Sequence, residues 1–114
     1  MNYDYSLIED AAYGELPTII ELLDAYIMEM PAMLHTLRKA IENKDAAAIY
    51  TVSHSLKSIT QVAGMWSIVN EVIELHSLSY DLKHLDRIQL LFLQIEKVCL
   101  DVVKEMNIKL TKLK

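Results

Sequence analysis

Between Leu16 and Ile41 the apolar side chains Leu16, Ile19, Ile20, Leu23, Tyr26, Ile27, Met30, Leu34, Leu37 and Ile41 recur at intervals of mostly three and four. That spacing returns to one face of a helix at every turn and to no face of a strand, so it predicts one long helix buried along one side. Pro17 suits its first turn. Pro31 lacks the N–H that a helix interior uses, and predicts either a kink or a division into two helices. The same rhythm returns late in the chain, where Leu85, Ile88, Phe92, Ile95, Cys99, Val102 and Met106 alternate by three and four. Such a seam belongs to a helix packed along its whole length against antiparallel neighbours. Only two Gly and two Pro occur in 114 residues, which leaves little room for the tight turns of an all-β fold.

Two further helices lie between these. Asn43, Lys44 and Asp45 interrupt the first pattern, and Asp45 is a suitable N-cap for the run AAAIYTVSHSLKSITQVA that follows. Gly64 can end that helix as a C-cap residue. Met65, Ile68, Val69, Val72, Ile73 and His76 then trace a third helix, which fades between Ser77 and Lys83. Upstream, Tyr3 to Tyr13 predicts a short helix or cap with Leu7 and Ile8 turned inward and Gly14 at its end. The expected fold class is all-α: an antiparallel up-and-down four-helix bundle with a short N-terminal cap helix. One domain is expected over residues 1–114, with the bundle core at about residues 15–107 and no internal repeat or linker. A chain of this length can bury about two thirds of its unfolded surface and needs no covalent staple.

Composition removes several function classes. A net charge of −5 argues against a nucleic-acid partner, and Lys109, Lys112 and Lys114 read as a solvated helix end. The start MNYDYSLIED has neither the basic nor the apolar stretch of a signal peptide, and no run reaches the roughly 18 apolar residues that span a bilayer. A soluble, cytoplasmic protein with no membrane contact is expected. The single cysteine, Cys99, excludes an intrachain disulfide and a Cys-based metal site; on the late seam it reads as a buried structural thiol. No metal site is expected from the histidines either: His35 and His84 read as surface positions, His76 as a packed or rim residue. Glu71, Glu74 and His76 only approach the Glu-x-x-His spacing of di-iron bundles. Gly-rich phosphate loops of the GxGxxG and GxxxxGK types are absent, which argues against an autonomous nucleotide enzyme.

The stretch HSLKSITQVAGM, His54 to Met65, carries the remaining information. At about 100° per residue, Ile49, Val52, Leu56, Ile59 and Ala63 share one narrow arc, and His54 lies roughly opposite it. His54 is therefore expected to face solvent. Lys57, Ser58, Gln61 and Met65 fall on the histidine's side, with Tyr50 and Thr51 one turn before it. The plain reading makes His54 one more polar residue on a solvated face. A sharper reading notes that an exposed imidazole is a competent nucleophile near neutral pH, and that a lysine one turn away can balance the charge of a phosphoryl group on its nitrogen. A small residue at Ser58 would let another protein's active site come close.

HSLKSITQVAGM resembles the signature of the histidine-containing phosphotransfer (HPt) domain: His, any residue, an apolar residue, Lys, a small residue, then Gly six positions on. His54, Leu56, Lys57, Ser58 and Gly64 occupy those places. The likeness extends upstream through YIMEMPAMLHTLRKAIENKDAAAIYTVSH and covers about residues 5–110. It implies a phosphorelay intermediate without kinase activity, in which Nε2 of His54 accepts a phosphoryl group from a receiver-domain aspartyl phosphate and passes it to another receiver aspartate. It further implies that Lys57 and Gln61 contact the phosphoryl group, that Tyr50, Thr51, Ser58 and Met65 form the docking face, and that Leu56 and Gly64 are structural. Gly64 would let the histidine helix end and the next helix pack closely. No cofactor is implied on this chain, the Mg²⁺ belonging to the receiver; a monomer is expected.

Ile59, Thr60 and Gln61 depart from the family's preference for small residues, and of these Gln61 stands on the docking face. Ser55, where a histidine-kinase dimerisation hairpin usually has an acidic residue, speaks against that element. The runner-up is a helical-bundle adaptor that binds partners without chemistry, His54 and Lys57 being merely exposed.

Overall fold

The computed structural model describes all residues from Met1 to Lys114. Five helices and no strand make up the chain: α1 (Tyr5–Ala11), α2 (Leu16–Glu42), α3 (Ala46–Val62), α4 (Val69–Leu78) and α5 (Leu85–Leu113). At about 1.5 Å per residue, the 29-residue α5 is long enough to set the long axis of the molecule, which measures 45 × 21 × 19 Å. Its seam of Ile88, Phe92, Ile95, Cys99, Val102 and Met106 is buried, joined by Leu91 and Leu110, while Leu85 is half-buried. The helices pack in a closed circuit, α2 against α3 and α5, α3 against α4, and α4 against α5. One core of 26 buried residues fills the space between them.

α2 is a single helix through Pro31. The proline is exposed, so the carbonyl of Ile27 that it leaves without a helical partner lies on the side open to water. Pro17 occupies the first turn. Leu16, expected on the buried side, is 46% exposed because it opens the helix before the packed stripe begins. Arg38 of α2 lies over the ring of Phe92, 5.0 Å from its centroid, and reaches both carboxylate oxygens of Glu96 at 2.6 Å, fastening α2 to α5.

Asp45 caps α3 by accepting from the backbone N–H of Ala48 at 3.1 Å. The far end closes on Gly64 at φ +65, with Met65 N–H donating to Thr60 C=O at 2.8 Å and Gly64 N–H to Gln61 C=O at 3.3 Å. This is a Schellman closure, which requires the left-handed backbone that glycine adopts without penalty. What packs on Gly64 differs from the sequence expectation. A Cβ there would meet Asp4 Cβ at 2.5 Å and Leu7 Cδ1 at 2.8 Å, so the close approach is made by the N-terminal segment and α1 rather than by the following helix. Asp4 N–H donates to Ala63 C=O at 2.8 Å, and Asn2 is held by Glu105 of α5.

The third helix begins later than its apolar pattern suggests. Met65 and Ile68 are buried in the turn before α4, and Ile73 is 40% exposed. Within α1, Ile8 is buried and Leu7 half-buried. No helix is long and apolar enough to cross a membrane.

Candidate functional site

The inner arc of α3 is buried at Ile49, Leu56, Ile59 and Ala63 and half-buried at Val52, which turns the opposite face outward. His54 is exposed on that face, and so are Ser58 and Gln61, while Lys57 is half-buried one turn on. Tyr50 is 49% exposed and Thr51 is exposed. These six residues therefore share the outer side of one helix, as residues three and four apart must. Ser58 Oγ donates back to the His54 carbonyl at 3.3 Å, which folds its short side chain against the backbone and leaves the space beside the imidazole open. Thr60, larger than the family prefers, is fully buried and donates its hydroxyl to the Lys57 carbonyl at 2.8 Å, so it does not intrude on this face.

Met65 does not belong to the face. It is fully buried, because the chain reverses at Gly64 and carries the following residue beneath the end of α3. Extrapolating the helical angle past residue 62, where α3 ends, put it on the wrong side.

His76, read from the sequence as a packed or rim residue, is half-buried, and the sequence did not place it beside His54. α4 brings its ring to 5.5 Å from that of His54 and 4.4 Å from that of Tyr50, centroid to centroid. Its Nδ1 lies 2.9 Å from the hydroxyl of Ser53, a residue with no exposed surface. Partial burial, and then the charges of Lys57 and His54, push the His76 pKa below the ordinary histidine value, partly opposed by the Tyr50 carbonyl. The signal available in the sequence was a histidine on a helix whose other stripe members are apolar; nothing in it said which side of α3 that histidine would meet.

An open groove of about 310 Å³ runs beside the same face between α2 and α3, lined by Ala32, Met33, Thr36, Thr51, Val52 and Ser55 among others. No cluster of His, Cys, Asp or Glu is arranged to hold a metal ion. Cys99 is fully buried, and burial pushes its thiol up to about 12, so it is unreactive. The arrangement on α3 offers an accessible imidazole whose ring nitrogens are free of side-chain hydrogen bonds, with an ammonium one turn away that makes no ion pair. Chemically that is a nucleophile with a cation poised beside whatever anion is placed on it.

No protein-family model and no curated protein matches the sequence. Among solved structures, the chain is similar to histidine-containing phosphotransfer protein B (HptB) from Pseudomonas aeruginosa PAO1, with a TM-score of 0.84 at 19% identity, over 97% of this chain and 96% of that one. The fold of this protein is therefore that of a histidine-containing phosphotransfer protein.

Proposed function

We propose that this protein is a phosphorelay intermediate in which His54 takes a phosphoryl group from the aspartyl phosphate of one receiver domain and gives it to the aspartate of another. The observation that carries the reading is the exposed His54 with an unpaired Lys57 one turn away on the outer face of α3. The lone pair of the unprotonated ring nitrogen, assigned to Nε2, attacks phosphorus; the P–O bond to the receiver breaks, and the aspartate leaves with the bonding pair. The proton on the other ring nitrogen stays, so the phosphorylated ring is an imidazolium carrying a phosphoryl dianion. Lys57 offsets part of that charge, Gln61 hydrogen-bonds the phosphoryl oxygens, and Leu56 and Gly64 hold the helix that presents them. In phosphoryl transfer little else is asked of this side beyond position and charge.

Tyr50, Thr51 and Ser58 surround the imidazole and form the docking face. The receiver supplies the Mg²⁺ and its aspartate, so this chain works as a phosphocarrier with no kinase activity and no cofactor of its own. The reading treats residues 1–114 as one HPt-like domain acting as a monomer in the cytoplasm, with α2 to α5 as an antiparallel up-and-down four-helix bundle and α1 as its N-terminal cap. It is supported by the fold likeness and by the agreement of the His54–Gly64 stretch with the HPt signature.

The test is to incubate the protein with phosphoramidate, or with a phosphorylated receiver, and to look by intact mass for one acid-labile phosphate. Label that disappears in His54→Gln is the expected result. Absence of label across several donors and receivers would refute the reading and favour an adaptor that binds partners without chemistry.

A further inference from the structure

His76 does nothing in the reaction just described, yet its ring lies 4.4 Å from that of Tyr50 and 5.5 Å from that of His54, centroid to centroid. From α3 it is faced by Tyr50, His54 and Lys57. On its own helix the nearest acid, Glu74, is turned to Arg87 of α5, with contacts at 2.7 and 2.9 Å, and Glu71 acts on the same arginine. Past the end of α4, Ser79 donates to the His76 carbonyl at 2.7 Å, Tyr80 is 83% exposed, and Asp81 pairs with Lys83. The charges that reach the imidazole are thus cationic, and no carboxylate balances them. Ser53 Oγ lies 3.2 Å from the Tyr50 carbonyl and 2.9 Å from Nδ1 of His76, so this buried hydroxyl anchors the inner edge of the imidazole.

We propose that His76 is a proton-responsive positioning residue of the phosphorylation site: neutral beside the bare His54, it takes a proton from solvent onto its unprotonated ring nitrogen when a phosphoryl group occupies His54, and then acts with Lys57 as a second cation. The inference rests on the phosphorelay reading. Its physical cause is a reversal of sign. Before phosphorylation the charged neighbours of His76 oppose its protonation; once phosphorylated, His54 carries a dianion that outweighs its own imidazolium charge, and this net negative group on a ring whose centroid is 5.5 Å away favours it. Protonation is an acid–base equilibrium with water and needs no co-reactant. It ties occupancy of His54 to pH, because phosphorylation of His54 and protonation of His76 favour each other. By the same linkage, lowering the pH favours phosphate on His54 over phosphate on a receiver.

The experiment follows the titration of His76 by NMR in the intact wild-type protein, with through-bond assignment, before and after phosphorylation with phosphoramidate. The expected midpoint lies below the ordinary histidine value in the unmodified protein and rises by about one unit or more in the phosphorylated one, the scale of an opposite charge a few ångströms away. His54→Gln treated identically should show no rise. A His76 midpoint that is unchanged while His54 carries acid-labile phosphate overturns this inference and leaves the phosphorelay reading standing. Failure of His54 to acquire phosphate removes both. Because the measurement is made on the wild-type chain, it does not depend on any His76 variant folding.

Discussion

Replacing Gly64 by alanine tests the junction on which the end of α3 depends. The residue sits at φ +65, where an L-side chain costs about 1–2 kcal/mol. The added Cβ would also stand 2.5 Å from Asp4 Cβ and 2.8 Å from Leu7 Cδ1. The first of these is no flexible tip: Asp4 Cβ is fixed by the Asp4–Ala63 backbone bond of 2.8 Å and by the cap that its carboxylate makes to Ser6 N–H at 3.0 Å. Moving it out of the way loses a hydrogen bond worth about 1 kcal/mol and weakens a helix cap worth about 1 kcal/mol, so Gly64→Ala should destabilise by about 3–4 kcal/mol. Gly14→Ala is the control. Its φ of +70 carries the same backbone cost, but nothing lies within 4 Å of the new Cβ, so the loss should stop at about 1–2 kcal/mol. Urea unfolding of both variants gives the two numbers, and amide exchange at Asp4 shows whether the N-terminal segment has lifted. Equal losses, or an Asp4 amide as protected as in the parent, would refute the claim that the N-terminal segment is what Gly64 admits.

Leu56→Ala, a truncation of a fully buried side chain beneath His54, should cost about 2–5 kcal/mol in urea unfolding; a negligible loss would mean that α3 is turned the other way. Lys57→Ala should slow phosphotransfer to His54 by about tenfold or more, equivalent to about 1.4 kcal/mol of barrier per decade, with an unchanged unfolding midpoint; an unfolded variant would contradict the assigned role. Ser58→Phe should raise the receiver concentration needed for half-maximal transfer while His54 remains chemically competent toward phosphoramidate, and unchanged receiver kinetics would misplace the docking face. The native His76 binds its proton more weakly than the unfolded chain, so the unfolded state takes up the extra proton first as pH falls through about 6.5. Stability should therefore decline with acidification from there to the lower native pKa. His76→Gln should show a smaller decline than the parent between about pH 7.5 and pH 5.5.

The helices and the outward turn of His54 were legible in the sequence because both are set by neighbours within one or two turns. A three-and-four spacing defines a face, and the arc of Ile49, Leu56, Ile59 and Ala63 must go inward for burial to offset the entropy of folding. The capping role of Asp45 and the left-handed ending at Gly64 are equally local. Pro31 left two outcomes open that only the packed α2 resolved.

Contacts between residues distant in the chain belong to the tertiary structure. The apolar stripe of α4 says that His76 lies near a buried surface, but Ser53 and His76 are 23 residues apart in the chain, and the packing of α4 against α3 brings them together. Met65 was misplaced because helical periodicity stops where the helix does, and the chain's direction beyond Gly64 is decided by what it can bury. Tyr3, which lies ahead of α1, is 4% exposed for a related reason: its neighbours Asn2 and Asp4 are fastened to α5 and to the end of α3. The sequence by itself determined which face of α3 carries the imidazole of His54 and the ammonium of Lys57, since that is a matter of angle along one helix. The second imidazole beside them, and the N-terminal segment that Gly64 admits, depend on how separate helices meet, which is decided by the packing of the whole core.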